Sequence, residues 1–137
     1  MKFNSSESFF KRSVLNKISK EFYFHNNVSC GNQIGIPDTF IEGVSKDIWV
    51  EFKVIKNSIL SKKFINLNNL LSNAQKKWFK RRKLQNDVYL AIGFVYKDKS
   101  MVFFTRKLVN EISVDNFIHE SVCFNEFINS LLHYLRR

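Results

Sequence analysis

The run DVYLAIGFVY at positions 87–96 constrains this chain more than any other stretch. It is almost continuously apolar, as a strand buried on both faces is, and such a strand sits inside a sheet with covering layers on either side. The run SMVFFT at 100–105 reads as its hairpin partner. Upstream, Phe10, Val14, Leu15, Ile18 and then Phe22 recur at three- and four-residue steps. They predict a first helix over residues 6–20, capped by Ser5 or Ser6. EFYFHNNV at 21–28 is aromatic and β-branched in flavour and reads as a strand, with a turn at 32–35. Residues 36–42 and 47–55 form two more strands, joined tightly through 43–46 as a hairpin. Residues 57–73 are polar and Asn-rich and read as loop with some helical turn, after which Ser72 caps a helix to about residue 85. Phe124, Phe127, Ile128, Leu131, Leu132 and Leu135 lie on one stripe of a terminal helix. The order α-β-β-β-α-β, then β and α, predicts a mixed α/β sandwich around a small sheet.

At 137 residues the chain has room for one domain with one core. Apolar residues make up 45% and Phe alone accounts for 15 positions, which excludes a disordered basic tail. The phenylalanines fill a core or supply an apolar interface between copies. No apolar run approaches the ~20 residues of a membrane span, and MKFNSSESFFKR does not read as a signal peptide. Cys30 and Cys123 are far apart and outside any CxxC spacing, so neither a disulfide framework nor a cysteine zinc site is expected. A reducing, cytoplasmic compartment is the simpler expectation.

Charge narrows the function. The formal net charge is +10, and residues 52–86 contain no Asp or Glu. Lys53, Lys56, Lys62, Lys63, Lys76, Lys77, Lys80, Arg81, Arg82 and Lys83 all fall in that segment. Beyond Arg106 and Lys107 the chain turns mildly acidic until its last two arginines. Charge so concentrated is the footprint of nucleic-acid binding, because neutralised phosphates release counterions. The alternative is a solvated basic face. On the second helix Lys76, Lys80 and Lys83 cluster outward, while Gln75 falls on the inward side between Trp78 and Phe79. A glutamine there needs a partner, such as a helix-start amide or a loop carbonyl.

Acidic residues are scarce, so their placement in the hairpin is informative. Asp38 follows the single proline, Pro37, and Glu51 and Lys53 stand two residues apart on the next strand. Alternation puts Trp49, Glu51 and Lys53 on one face and Val50, Phe52 and Val54 on the other. The hairpin brings Asp38 alongside Glu51, so two carboxylates and an ammonium converge. Such carboxylates repel unless a cation lies between them, and hard oxygen ligands suit Mg²⁺ or Mn²⁺. A metal there can polarise a phosphodiester oxygen and activate water, with Lys53 assisting the charge at phosphorus.

Pro37-Asp38, twelve intervening residues and then Glu51-Phe52-Lys53 resembles the PD-(D/E)XK nuclease superfamily. Gly35-Ile36-Pro37-Asp38 before WVEFK, followed by Leu71-Ser72-Asn73-Ala74-Gln75, looks like its compact VRR-NUC branch. There a serine-capped helix with an early glutamine follows the ExK strand, and several members are DNA nucleases acting on branched DNA. The resemblance implies a restriction-endonuclease-like αβββαβ core, Asp38 and Glu51 as metal ligands and Lys53 as the catalytic lysine. It gives Gln75 a place near the site. It also implies an acidic residue of the first helix as a further ligand: Glu7, with Glu21 as the rival. Residues 57–73 match no family pattern.

The expectation is therefore a Mg²⁺-dependent DNA endonuclease selective for branched DNA, such as Holliday junctions, and working as a homodimer. A phage or mobile-element origin fits its size by analogy. A homing endonuclease using the Asn-rich segment in a groove is the enzyme alternative. A non-catalytic nucleic-acid-binding module is the alternative from another class, and an RNA substrate stays open.

Overall fold

The computed structural model describes residues 6–26, 37–82 and 87–137, Arg82 by its backbone alone. Along these the chain forms α1 (Glu7–Ile18), β1 (Phe24–Asn26), β2 (Thr39–Ile41), β3 (Ile48–Val54), α2 (Asn57–Leu60), β4 (Phe64–Ile65) and a 3₁₀ turn (Leu67–Leu70). It continues through α3 (Asn73–Arg82), β5 (Asp87–Tyr96), β6 (Lys99–Thr105), β7 (Ile112–Ser113), α4 (Val114–Glu120), β8 (Val122–Cys123) and α5 (Phe124–Arg136). Six strands form one mixed sheet in the order β1-β2-β3-β5-β6-β8, and β4 with β7 makes a small second sheet. The αβββαβ order is present. Ser5, Cys30, Lys83, Ile36 and the turn at 32–35 lie outside the described residues.

The apolar run at 87–96 is the centre of the sheet. β5 pairs in parallel with β3 from Ile48–Asp87 to Val54–Gly93, and antiparallel with β6 from Leu90–Thr105 to Tyr96–Lys99. Leu90, Ala91, Ile92 and Phe94 are wholly buried. The hairpin turn to β6 consists of Lys97 and Asp98, both at positive φ (50° and 62°). Two such residues make the type I′ turn whose twist matches its strands.

One face of the sheet is covered by α1 and α5. Ser6 caps α1, its hydroxyl accepting from the Phe9 amide at 3.1 Å. Phe10, Val14 and Ile18 then meet Val50 and Phe52 of β3 together with Phe127, Leu131 and Leu135 of α5. Phe10 and Phe52 pack edge to face, centroids 5.4 Å apart. The opposite face carries α3, α4 and the 3₁₀ turn, with Phe79, Phe117 and Leu67 packed against Leu90, Ile92 and Phe94. Phenylalanine fills these two cores, and among the described residues only Phe64 is exposed, which removes it as evidence for an apolar interface between copies.

Three expectations change. The first strand does not begin at residue 21: Glu21 and Phe22 turn off the end of α1 onto the Ile18 carbonyl, and Phe22 stays buried in the helix stripe. β2 starts only at Thr39, because Pro37 lacks an amide to donate and Asp38 uses its amide elsewhere. Residues 57–73 carry the expected helical turns, α2 and the 3₁₀ turn, but the rest is not free loop. Ile65, Leu67 and Leu71 are buried in the second core, β4 pairs with β7, and Asn66 caps the 3₁₀ turn through the Asn68 amide. Asn68 bonds Asn110. Those side chains are thereby withdrawn from reading bases in a groove.

The β2–β3 connection is docked on the end of α5. Val44 donates to the Leu135 carbonyl at 2.8 Å and Gly43 to Asp47 Oδ1 at 3.2 Å. A Cβ on Gly43 would collide with the Lys46 carbonyl oxygen and stand 3.1 Å from that of Leu135. Gly43→Ala is expected to cost about 1–3 kcal/mol, seen as a lower urea midpoint at unchanged slope. An unshifted midpoint would show that the turn relaxes freely.

Candidate active site

The hairpin register makes the site. Thr39 pairs with Val50, which sets Asp38 beside Glu51 just ahead of the first β2 residue. The two acidic residues brace each other's strands. The Asp38 amide donates to Glu51 Oε1 at 3.2 Å, and the Phe52 amide donates to Asp38 Oδ2 at 3.2 Å. Each carboxylate is thus fixed by the backbone of the opposite strand, which sets their spacing without side-chain freedom. Lys53 Nζ lies 3.5 Å from Glu51 Oε2, its side chain 18% exposed.

Glu51 is 2% exposed, an unusual place for a carboxylate. Burial, and secondarily repulsion by Asp38, raise its pKa from 4.5 to about 8, against the opposing pull of Lys53. This arrangement disfavours a second negative charge unless something positive joins the pair. A divalent cation fits that need, since Mg²⁺ is commonly held by one or two carboxylates and otherwise by water and substrate oxygens.

Not every expected residue joins the pair. Among the described residues no three His, Cys, Asp or Glu side chains gather into a metal-binding group. Glu7 is exposed in the first turn of α1, a helix that packs on the Val50 and Phe52 face, so it is not brought into a cluster with Asp38 and Glu51. Glu21 is held by Arg136 of α5 through two bonds of 2.6 and 2.7 Å. His25 pairs with Glu42 at 2.9 Å on the exposed sheet edge. Gln75 closes a reciprocal cap at the start of α3: its Oε1 accepts from the Ser72 amide at 2.9 Å, and the Ser72 hydroxyl accepts from the Gln75 amide at 3.2 Å. The helix-start partner is the one found, and this commits the Gln75 carboxamide oxygen there rather than to the carboxylates.

Lys56, Lys62, Lys63, Lys77, Lys80 and Arg81 are exposed, and Lys76 is half-buried. The Arg82 side chain and Lys83 fall outside the described residues. Sequence patterning missed an aromatic row on the Glu51 face. His25 and Phe40 have ring centroids 6.1 Å apart, Phe40 and Trp49 4.8 Å, and Trp49 and Trp78 5.4 Å. Trp49 stands two residues before Glu51, so the row forms the floor next to the carboxylates and anchors α3 on β3. The two tryptophans were its signal, being the only ones in the chain.

No protein-family description and no curated protein matches the sequence. Among solved structures the chain is similar to the 1.6 Å structure of Archaeoglobus fulgidus Hjc, a Holliday junction resolvase from an archaeal hyperthermophile. The TM-score is 0.52 at 14% identity, over 90% of this chain and 95% of that one. The two share a fold: a six-stranded mixed sheet flanked by helices is common ground, and the fold expected from the sequence is the one found.

The buried proton on Glu51 has a consequence for stability. The native state keeps it up to about pH 8, while the unfolded chain releases it near 4.5. The native state therefore binds more protons in that window, and stability in EDTA falls as pH rises across it. Melting temperatures from pH 5 to 9 should decline in the wild type and stay flatter in Glu51→Gln, which is expected to be the more stable protein at the alkaline end. Parallel curves would place the titration elsewhere.

Proposed function

We propose that this chain is a divalent-metal-dependent DNA endonuclease that cuts branched DNA. The observation that carries the reading is the buried Glu51 braced to Asp38, with Lys53 at 3.5 Å. A domain that only bound nucleic acid gains nothing from two paired carboxylates on the strands before its cationic segment, because they repel phosphate. The shared fold with a protein titled a Holliday junction resolvase supports the branched substrate. The motif residues at 35–38, 49–53 and 71–75 support kinship with the VRR-NUC branch.

Asp38 and Glu51 would hold the cation, Mg²⁺ or Mn²⁺. When bound, it supplies Lewis-acid polarisation of the phosphodiester and activation of water at neutral pH. The chain's own residues do the rest. The crossed backbone bonds hold the two carboxylates in place, so no reorganisation is needed when substrate arrives. Lys53 keeps its ammonium beside Glu51 and offsets the negative charge that grows on the phosphate as the bond to the leaving oxygen breaks. The exposed cations of α3 and of residues 56–63 bind the backbone of either strand and fix its position without reading sequence. Paired cuts on opposite strands of a junction require two such sites, and two copies of the chain would supply them.

Cleavage of a four-way junction, linear duplex, single strand and RNA in Mg²⁺ tests the reading. Paired nicks near the branch point are expected, absent in EDTA. Lys53→Ala should lower the rate by about 10²–10³-fold while junction binding persists. Cutting by Lys53→Ala at the wild-type rate, or no cutting of any substrate by wild type, would sink the proposal. Mg²⁺ should also raise the melting temperature of wild type at pH 8, and not that of Glu51→Gln.

The basic face has its own check. Replacing Lys77, Lys80 and Arg81 with alanine should weaken binding on all sequences alike and flatten its dependence on salt, by about one unit of slope for each phosphate left without its cation. An unchanged slope would assign them to solvent.

A further inference from the structure

A cavity of about 500 Å³ lies between α3 and the segment that follows β6, and Asp38, Glu51 and Lys53 are not among the residues that line it. Lys76 and Lys80 approach from α3, and Arg106 and Lys107 from just beyond β6. No acidic residue is among the described residues that line it. Arg106 is partly spoken for: it reaches Asp87 at 3.3 Å and sits over the Tyr89 ring, 5.8 Å from its centroid. The lysines carry the rest of the charge. The bond from Asn68 to Asn110 ties the 3₁₀ turn to the same segment and holds that wall in place.

The remaining surface of the cavity is apolar. Phe79 and Val88 are buried at its base, Leu108 is half-buried, and Val109 is 40% exposed. Cations repel one another, and on a merely solvated face nothing draws them around an apolar hollow. A ligand that satisfies both parts has an anionic end for the lysines and a flat, weakly polar body for Phe79, Val88 and Leu108. Inorganic phosphate answers only the first requirement, and an aliphatic group only the second. The volume is within the range of about 300–1,000 Å³ usual for small-ligand sites.

We infer that this cavity is a nucleoside-phosphate site, with the phosphate held by Lys76, Lys80 and Lys107 and the base laid on the apolar floor. The nucleotide is either free or an unpaired unit of a nucleic-acid strand, since both present the same chemistry. The inference stands on the lining of the cavity and is independent of the nuclease reading.

Methyl resonances of Val88, Leu108 and Val109 report on the floor directly. In EDTA, deoxyadenosine monophosphate should shift them saturably, with affinity about tenfold above that of inorganic phosphate, the difference a seated base makes. Lys80→Glu with Lys107→Glu should abolish the shifts, and Val109→Asp should weaken the mononucleotide more than phosphate. All three positions are exposed, so the fold tolerates these changes. An oligonucleotide with an unpaired end that binds tighter than the mononucleotide and displaces it identifies a strand as the source; the reverse order identifies the free nucleotide. Unmoved methyls, or phosphate binding as tightly as nucleotide, would overturn the inference. Cleavage measured in parallel separates the two sites: unmoved methyls with junction cutting intact reject the cavity alone, and shifted methyls with no cutting reject the nuclease reading alone.

Discussion

The parallel pairing of β3 with β5 is the constraint from which the rest follows. Two parallel neighbours cannot be joined by a tight turn, so the chain after β3 must leave one end of the sheet and β5 must start again at the other. That crossover lays α3 on one face, and the apolar residues of β5 then require cover on the opposite face too. α1 and α5 provide it. With both faces covered, alternation along β3 has no solvent side: Phe52 goes into one core, and Glu51 is driven into the other layer beside Trp49. The buried carboxylate is thus a product of sheet topology as much as of its own chemistry.

Electrostatics divides the molecule accordingly. The acidic groups are placed inward at Asp38 and Glu51, where backbone amides and Lys53 hold them. Positive charge is placed outward along the crossover and around the cavity beyond α3. On the proposed function, a phosphodiester would meet attraction from the cationic surface and repulsion from the carboxylate pair, and a divalent cation would resolve that opposition at one point. The raised proton affinity of Glu51 expresses the same demand in a form that pH can probe.

The two sides of α3 have different characters. Toward β3 it presents Trp78, in ring contact with Trp49. Lys76, Phe79 and Lys80 line the cavity with Arg106 and Lys107. Both sides belong to one helix, whose start is closed by the Ser72–Gln75 cap.

Much of this was legible in the residues alone. Helices α1 and α5, the central strand β5 and its partner β6 follow from apolar periodicity, because burial acts on each residue according to the spacing of its own element. Asp38, Glu51 and Lys53 were legible because a hairpin and the two-residue repeat of a strand suffice to place them together. The short elements in residues 57–73 and 112–123 were not. β4, β7 and β8 have two residues each and carry no period of their own. They exist because Ile65, Leu67 and Phe117 have somewhere distant to pack. Tertiary structure alone decided that Glu7 stays outside the carboxylate pair, that Glu21 is taken by Arg136, and that Arg106 and Lys107 meet the lysines of α3 across a cavity. Local sequence sets which way a side chain points from its own backbone; which groups meet it there depends on how distant elements pack, and that is a property of the whole fold.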